Sequence, residues 1–471
     1  MTRLRLALPL AAGIALSGCN MAPHYVRPAL PVPAATPEGP AYPQGTTDAA
    51  SPADTAWADY FTEPRLREVI AAALANNRDL RLALANVEVA RAQYRVQRAD
   101  IFPTLGATGS ATYQKSPLGA VGGQVGAGAG RFDIYSASVG VSAWEIDLFG
   151  RVRNLTKAAQ EEFFAVDENR KATQTALIAE VATAWLTMAA DQDRLAVSRR
   201  TETAFRQTAD LTQARFRAGV ASELEVRQAR TSHDRALADI AALTTQVAQD
   251  QNALNLLAGT TVPAALLPAT LGDGATLDRL PGSLPSDVLL RRPDIAAAEH
   301  RLIAANANIG AARAAFFPRI SLTAALGTMS LGLSNLFTGA SENWSVQPTA
   351  QLPIFDFGRN AGNLGAAKAQ RNAAVAQYEK TVQTAFREVA DALARRGTID
   401  DQLAAQRSLA NNAGASYRLS EARFRAGIDG FLNTLDAQRS QYAAEQDLVA
   451  TRLVRETNGV ELYRALGGGL K

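Results

Sequence analysis

The heptapeptide Ala-Arg-Phe-Arg-Ala-Gly-Val occupies residues 214–220, and it returns as Ala-Arg-Phe-Arg-Ala-Gly-Ile at residues 422–428, which is 208 positions later. The tripeptide Phe-Gly-Arg keeps the same offset, because it occupies residues 149–151 and 357–359. Several motifs at one fixed offset indicate an internal duplication, and this period is far longer than that of a solenoid repeat. The 471 residues are therefore predicted to form two similar structural halves.

Each half contains a junction at which helical periodicity gives way to strict alternation. The dipeptide Phe-Pro ends a helical pattern at residues 102–103 and again at 317–318, because proline cannot continue a helix interior. Apolar residues then alternate with small polar ones in two segments of each half, which is the period of a β-strand. The sequence predicts one β-hairpin over residues 104–146 and another over 319–354.

The alternating segments favour strands that cross a membrane. Strands of about ten residues with one apolar face and one polar face are typical of a transmembrane β-barrel. The alternative is a soluble hairpin whose apolar face packs on helices. No segment after the amino terminus has about 18 unbroken apolar residues, so a membrane span is expected from strands. Four strands cannot close a barrel, and an open edge is not tolerated in lipid. Two copies of the chain would supply eight strands and three copies twelve, and the sequence does not choose between them.

The amino terminus is typical of a bacterial lipoprotein. Residues 1–18 have a basic start and a short apolar run, as a secretory signal peptide does. Cys19 follows the small residues Ser17 and Gly18 and is the only cysteine. It is predicted to carry a diacylglyceryl thioether and an N-acyl chain; the alternative is a free or buried thiol. Asn20 in the next position favours sorting to the outer membrane.

Charge and motifs exclude several classes of protein. The formal net charge is +3, and removal of the signal peptide with its two arginines leaves about +1, without the basic footprint of a nucleic-acid binder. His24, His233 and His300 lack the spacing of metal ligands. The sequence contains no nucleophile elbow or phosphate-binding loop. The chain is therefore predicted not to be an enzyme and to hold no metal or cofactor.

Two long stretches without proline dominate the rest of the chain. Residues 150–218 and 358–426 are each predicted to form one helix that would reach about 100 Å, and a shorter helix returns after each. The short helix before Phe317 is expected to stack end to end on the first returning helix. The predicted domains are a signal peptide (1–18), an extended tether (19–62), a first repeat (63–258), an irregular belt (259–284) and a second repeat (285–471).

In their order and spacing, these motifs resemble the TolC-like outer-membrane efflux protein family, in its lipoprotein branch. The tether at residues 23–28 and the ending at 462–469 extend the resemblance over nearly the whole mature chain. The resemblance implies a mainly α fold with membrane β structure. It implies a homotrimer in which four strands per chain form a twelve-stranded transmembrane β-barrel, continued by a long periplasmic α-helical barrel.

The same resemblance implies a function, a location and partners. The chain would be a passive exit duct of a tripartite efflux pump for drugs or other small toxic molecules. It would be lipid-anchored in the outer membrane, extend into the periplasm, and be opened at its tip by a periplasmic adaptor and an inner-membrane pump of the resistance-nodulation-division type. No nucleic-acid partner is expected.

Carried over by motif, the resemblance places a periplasmic gate at Leu432, Asp436 and Arg439. Three copies of Leu432 would form an apolar constriction, and three copies of Asp436 would bring like charges near one axis. Arg439 is three residues after Asp436 and could pair with it, so an ordinary ion pair on a helix face is the alternative. Some relatives carry a second acidic residue where this chain has Asn433, which makes a double acidic ring doubtful.

The resemblance also makes the two turns contact points for the adaptor. These turns contain Gly219, Val220 and Ala221 in the first half and Gly427, Ile428 and Asp429 in the second half. The alternative is that the glycines only terminate helices, and both roles are compatible.

Three other functions stay open from the residues alone. The chain could serve as the outer-membrane duct of a type I protein secretion system. A periplasmic adaptor would need a lipoyl-like domain inserted in a single helical hairpin, whereas this chain has two hairpins. An envelope enzyme on a helical scaffold would need an active site, which the sequence does not offer.

Overall fold

The computed structural model describes residues 20–43, 55–116, 130–277 and 284–469. The chain forms two compact units, and each unit takes residues from both copies of the repeat. Unit 1 contains Met1–Pro28, Val87–Val166 and Ala298–Tyr378, and unit 2 contains Ala29–Asn86, Asp167–Ala297 and Glu379–Lys471. Cys19 lies outside the described residues, as does part of the expected belt, residues 278–283.

Helices make up most of the described chain. They are α1 (Trp57–Tyr60), α2 (Pro64–Asn76), α3 (Arg78–Ala99), α4 (Arg151–Arg217), α5 (Glu223–Ala258), α6 (Pro293–Ala314), α7 (Arg359–Arg425) and α8 (Phe431–Ala465). Three short 3₁₀ turns lie at Ala264–Leu266, Ser286–Arg291 and Leu333–Asn335. Within the residues that the structure describes, no helix combines the length and the apolar character needed to cross a membrane.

The two long helices match the prediction to within one residue at each end. α4 and α7 each have 67 residues, and each begins directly after the glycine of a Phe-Gly-Arg motif. Their sequences contain no proline and many alanines, so nothing in the backbone interrupts them. The returning helices α5 and α8 have 36 and 35 residues. The duplicated sequence therefore folds into duplicated helical hairpins.

The helical pattern from Pro64 to Ala99 is broken once, at Asn77. The Asn77 side chain accepts a hydrogen bond from the backbone N–H of Leu80, which caps the start of α3. Its amide nitrogen donates to the carbonyl of Leu257, near the end of α5. One buried side chain thus connects the end of a returning helix to the start of a short one.

The second repeat has the equivalent joint, made by the buried Arg292. Its guanidinium donates to the carbonyl of Ala465 near the end of α8 and to Asp294 in the first turn of α6. The short helix before Phe317 therefore meets the second returning helix, and the expected stacking on the first one is wrong. A long-range joint of this kind depends on one arginine, which helical periodicity does not reveal.

Unit 1 contains one antiparallel sheet of four strands in the order β1-β2-β3-β4. The strands are β1 (Leu105–Ser116), β2 (Gly130–Glu145), β3 (Arg319–Ser330) and β4 (Glu342–Gln351). The register places the apolar positions of neighbouring strands in the same rows, for example Leu105 with Val141 and Leu326 with Trp344. The alternation in the sequence is thus confirmed as one apolar face and one face of small polar residues.

A bulge in β2 changes the expected alternation near the end of the strand. The register shifts between Val141 and Trp144, so Trp144 pairs with Leu322 and takes the place that alternation assigns to Ala143. Ala143 has a positive φ of 52°, as a bulged residue can. The Trp144 indole then donates to the carbonyl of Ile101, 3.1 Å away. The bulge thereby fixes the end of β2 against the junction that precedes β1.

The main core of the described chain lies in unit 2. Tyr60, Phe61 and Tyr463 form a buried aromatic group with ring centroids 5.0 to 5.5 Å apart. The Tyr60 hydroxyl donates to the carbonyl of Gly459 at 2.7 Å. The edge-to-face contacts and the satisfied hydroxyl stabilise the position of α1 against α8.

Residues 20–28, called the strap below, are extended and lie along α6 within unit 1. Asn306 donates to the carbonyl of Pro23 at 2.8 Å, and Arg313 donates to that of Met21 at 3.2 Å. Arg27 pairs with the carboxylate of Glu299 at 2.7 Å. The strap is thus extended and hydrogen-bonded to a helix, whereas α1 (Trp57–Tyr60) is a helical turn inside residues 19–62, which the sequence predicts to be extended.

Candidate functional site at the turns after the long helices

The two turns that follow the long helices have the same backbone geometry. Gly219 and Gly427 have φ angles of 74° and 72°, in the left-handed region that glycine adopts without strain. The amide of Val220 donates to the carbonyl of Arg215, and the amide of Ile428 donates to that of Arg423. These are Schellman-type caps, which satisfy the last carbonyls of α4 and α7. The duplicated heptapeptide is therefore a duplicated helix stop.

Different side chains complete the two turns. In the first turn, Ser222 and Glu225 form a reciprocal capping box at the start of α5. In the second turn, α8 begins after Gly430, which has no side chain to cap it. Arg423 instead binds Asp429 with two hydrogen bonds of 2.6 and 2.9 Å, and these hold the pKa of Asp429 below its usual value.

A small apolar cluster lies beneath the turns in unit 2. It joins one buried aromatic residue from α4 to residues of α5, α7 and α8. Its buried members are Phe205, Ala229, Ala236, Phe424, Phe431 and Leu435. The guanidinium of Arg215, on α4, lies 4.8 Å from the centroid of the Phe424 ring, a cation–π contact. The two turns are thus held together in one local structure.

The predicted gate residues share one face of α8. Leu432, Asp436 and Arg439 are all exposed, while the adjacent face buries Leu435 and Gln438. The Arg439 guanidinium donates to the hydroxyl of Ser232 on α5 at 2.9 Å. Among the described ion pairs none joins Arg439 to Asp436, so the helix-face pair considered from the sequence is not formed. The gate role of this face itself stays a prediction.

The first repeat presents a less charged version of the same face. Leu224 is exposed, as Leu432 is, and Gln228 takes the place of Asp436. The position of Asp436 on α8 therefore carries a carboxylate, and the equivalent position on α5 carries the uncharged amide of Gln228.

A layer of polar side chains begins beside the gate residues, at Gln438, and continues one turn further along α8 to Tyr442. The Tyr442 hydroxyl lies 3.0 Å from Asp239 of α5 and 2.8 Å from Ser198 of α4. Burial raises the pKa of Tyr442, so the hydroxyl stays protonated and can donate. Gln438 donates to Tyr417 of α7, whose pKa burial raises to about 12. α8 is thus hydrogen-bonded to three other helices near the tip.

Sequence reasoning missed this polar layer. Tyr442 fits the helical periodicity of α8, and that pattern alone does not reveal the hydrogen bonds of its hydroxyl. A detectable signal was a glutamine at a position whose helical neighbours, such as Leu435, face the core. Such buried polar groups specify how helices register with one another.

The titratable side chains of the described chain can also be compared with the geometry of metal sites and carboxylate pairs. Among the described residues no group of three His, Cys, Asp or Glu side chains is placed to hold a metal ion. His233 contacts Glu202 at 3.1 Å and His300 contacts Glu161 at 2.6 Å, so each ring lies beside a carboxylate. The observed contacts hold the adjoining ends of α4, α5, α7 and α8 together, beside the exposed face that carries Leu432 and Asp436.

Known proteins share this organisation along the whole chain. The model of the outer membrane efflux protein family matches residues 69–260 and 284–468. The chain is 47% identical over 470 residues to the probable efflux pump outer membrane protein TtgC of Pseudomonas putida, covering all of this chain and 96% of that protein. It is 43% identical over 463 residues to the outer membrane protein OprJ of Pseudomonas aeruginosa, covering 98% and 95%.

Solved structures give the same result for the fold. The open state of the MtrE outer membrane channel of Neisseria gonorrhoeae superimposes with a TM-score of 0.85 at 37% identity, over 96% of this chain and 99% of that one. The matched length, the identity and the duplicated hairpins agree, and the chain belongs to the outer membrane efflux protein family.

Proposed function

We propose that this chain is the channel subunit at the outer-membrane end of a tripartite efflux pump, and that three copies form the duct. The similarity to efflux-pump outer-membrane proteins supports the role. The observation that carries the proposal is the sheet of unit 1, which has an exposed apolar face and two edge strands, β1 and β4. In lipid, the backbone N–H and C=O groups of the two edge strands would lack hydrogen-bond partners, and the edge strands of further copies of the chain can supply them.

The number of copies follows from the size of the lumen. Eight strands from two copies would leave an interior just wide enough for side chains, whereas twelve strands from three copies would leave a wider lumen. The inner face would then present the small polar side chains of the sheet, such as Ser138, Thr323 and Gln347. A duct for small toxic molecules needs the wider lumen, which favours the trimer.

The face of α8 is proposed as the periplasmic gate. Leu432 would narrow the opening with apolar side chains, and Asp436 would place three carboxylates around it. The bond from Arg439 to Ser232 would hold α8 against α5 in the narrow state. Opening would require α8 to separate from α5, which breaks this bond and the one from Tyr442 to Asp239.

The exposed turns are proposed as docking points for the adaptor. Val220 and Ile428 expose apolar side chains at equivalent positions of the two turns, and the rigid caps hold them in place. The energy for export would come from an inner-membrane pump of the resistance-nodulation-division type. The role proposed for this chain is conduction and docking.

Cys19 is proposed as the site of a lipid anchor. The strap would lead directly from the acylated Cys19 to α6, so the anchor would be attached through a short, bound segment. Replacement of Cys19 by Ala should abolish labelling of the protein with a clickable palmitate analogue. Labelling that persists in this variant would exclude Cys19 as the acylated residue.

Three measurements test the duct. Native mass spectrometry in mild detergent should give three times the chain mass, and fractionation should recover the protein in the outer membrane. Deletion of the gene should raise the intracellular accumulation of an efflux dye, and the intact gene should restore export. A monomeric mass, or accumulation that does not change, would contradict the proposal.

A further inference from the structure

An aromatic stack in unit 1 joins the two repeats at the base of the sheet. The rings of Phe149 and Phe317 are nearly parallel, with centroids 4.7 Å apart and planes 19° apart. Phe149 belongs to the Phe-Gly-Arg motif of the first repeat, and Phe317 belongs to the Phe-Pro motif of the second. The stack therefore lies where β2 has just ended and the neighbouring strand β3 is about to begin.

The duplication supplies a second pair of phenylalanines with the same two motifs. Phe357 is the repeat equivalent of Phe149, and Phe102 is the repeat equivalent of Phe317. These rings do not stack on each other in the described chain; the Phe357 ring lies instead 4.5 Å from the ring of Phe355. Phe357 is 89% exposed and Phe102 is 61% exposed. The sequence thus contains the residues for a second stack, but these two rings do not contact each other within one chain.

The sheet explains why one chain cannot make this contact. Phe357 follows β4 and Phe102 precedes β1, and these are the two outer strands of the sheet. Four antiparallel strands bring the end of β4 and the start of β1 to the same end of the sheet, but at opposite edges. In the observed stack, the corresponding strands β2 and β3 are neighbours.

We propose that Phe357 of one copy stacks on Phe102 of the next copy in the ring, where β4 of one lies beside β1 of the other. This inference rests on the proposed trimer and names the contact that closes it. The contact is head-to-tail, so it repeats around the ring and closes with the assembly. Ile354 and Phe355, also exposed, extend the apolar surface around Phe357.

The conformation of Phe357 agrees with an external contact. Its φ is 55°, a region that bulky residues seldom adopt and that surrounding structure normally enforces. Gly358 follows with its own positive φ of 86°, and an added Cβ there would meet nothing within 4 Å. The Asp356 carboxylate fixes this turn, because it accepts hydrogen bonds from the amides of Gly358 and Asn360. The turn leaves the Phe357 ring exposed, beside the ring of Phe355.

Chemical crosslinking of full-length protein in outer-membrane fractions tests the contact. The double variant Phe102→Cys/Phe357→Cys, treated with a short bismaleimide, should give crosslinked dimers and trimers on a denaturing gel. The matched control Phe149→Cys/Phe317→Cys should react within one chain and stay at the mobility of a monomer. Each single variant alone should stay monomeric, which controls for any reaction at Cys19, the only native cysteine.

Co-expression of the two single variants gives a sharper form of the test. In a head-to-tail trimer, Phe357→Cys and Phe102→Cys chains can form only one bridge per ring, so dimers but no covalent trimers are expected. If cysteines impair folding, a photoreactive benzoyl-phenylalanine at position 357 should label the peptide that contains Phe102 in a neighbouring chain.

The outcomes separate this contact from the proposed assembly. Monomers in the double variant, with a reacting control pair and a native mass of three chains, would overturn the stack and leave the trimer standing. A native mass of one chain would overturn both. Labelling of a peptide other than the one with Phe102 would also overturn the proposed contact.

Discussion

Near the turns, Arg439 has a different partner in the structure from the one that the sequence suggests. It lies one turn from Asp436 on α8, where an i,i+3 ion pair is possible. Its guanidinium is bound instead to Ser232, on the neighbouring helix. The residue therefore connects two helices, and Asp436 is left exposed on the proposed gate face. A change at these two positions should alter the opening and leave the local helix intact.

The double variant Asp436→Ala/Arg439→Ala should raise single-channel conductance in planar bilayers. It removes three carboxylates from the gate face and the bond that holds α8 to α5. The matched control is Glu223→Ala/Arg227→Ala, which removes an exposed ion pair on α5 with 3.0 Å between its charged atoms. The control should conduct like the native protein. Equal conductance in all three proteins would argue against a gate at this face.

Asp250 gives a prediction for pH. Burial, then the nearby carboxylate of Asp191, raise its pKa, while Gln246 donates a hydrogen bond to it. Arg194 partly offsets the charge of Asp191. Because the folded pKa lies above the unfolded one, the protonated carboxyl stabilises the fold at low pH. This stability is lost as pH rises from about 4 through the raised pKa.

The variant Asp250→Asn should therefore be more stable than the native protein at neutral pH and no more stable near pH 4. The amide keeps the shape of the side chain and cannot ionise. Thermal unfolding in detergent at both pH values measures the effect, with Asp234→Asn at an exposed position of α5 as the control. If the unfolding temperatures of the native and Asp250→Asn proteins change with pH in the same way, ionisation of Asp250 does not destabilise the fold.

At the scale of elements, periodicity was sufficient to predict the long helices, but it did not predict the hydrogen bonds that connect one element to another. α4 and α7 follow from unbroken helical patterns, and the sheet faces follow from alternation. The break at Asn77 and the bulge at Ala143 were not predicted, because each depends on a partner distant in sequence: Leu257 for Asn77 and Thr323 for Ala143. The polar bonds of α8 were missed for the same reason.

The helix stops at Gly219 and Gly427 give a prediction at this scale. Alanine at either position must adopt a left-handed conformation, which costs about 1–2 kcal/mol. Gly365, in the interior of α7, has open space around it and no positive φ. Its replacement by Ala should stabilise the helix by about 0.5–1 kcal/mol. The same substitution is thus expected to lower the unfolding temperature at the turns and to raise it at Gly365. A change of unfolding temperature in the same direction at all three sites would contradict the assigned helix caps.

At the scale of the whole molecule, duplication explains what the chain contains and what it lacks. Equivalent hairpins, turns and aromatic motifs occur twice, and the first aromatic pair is satisfied within one chain, by Phe149 and Phe317. The second pair, Phe357 and Phe102, is left at the edges of the sheet. The resemblance predicted the family and the trimer. The side chains proposed to close the ring could be identified only from the order of the strands in the sheet.

The strap connects the predicted lipid anchor to the folded chain, and Gly310 of α6 decides whether it can dock. A Cβ at this position would lie 2.7 Å from the backbone of Ala22 and 2.6 Å from Asn154. In an open helix position, Gly→Ala would be stabilising by about 0.5–1 kcal/mol. Forced overlap in a packed site costs about 1–3 kcal/mol. Gly310→Ala should therefore destabilise the bound strap, because the clash outweighs the gain in helix propensity.

Hydrogen–deuterium exchange measures this effect where it should occur. Peptides that contain residues 20–28 should exchange faster in Gly310→Ala than in the native protein, because the strap detaches from α6. Gly362→Ala is the control, since nothing lies within 4 Å of its added Cβ, and it should leave exchange in the strap unchanged. Equal protection of the strap in Gly310→Ala would mean that Ala22 can move aside without release. The bonds of the strap to Asn306, Arg313 and Glu299 would then be sufficient to hold it.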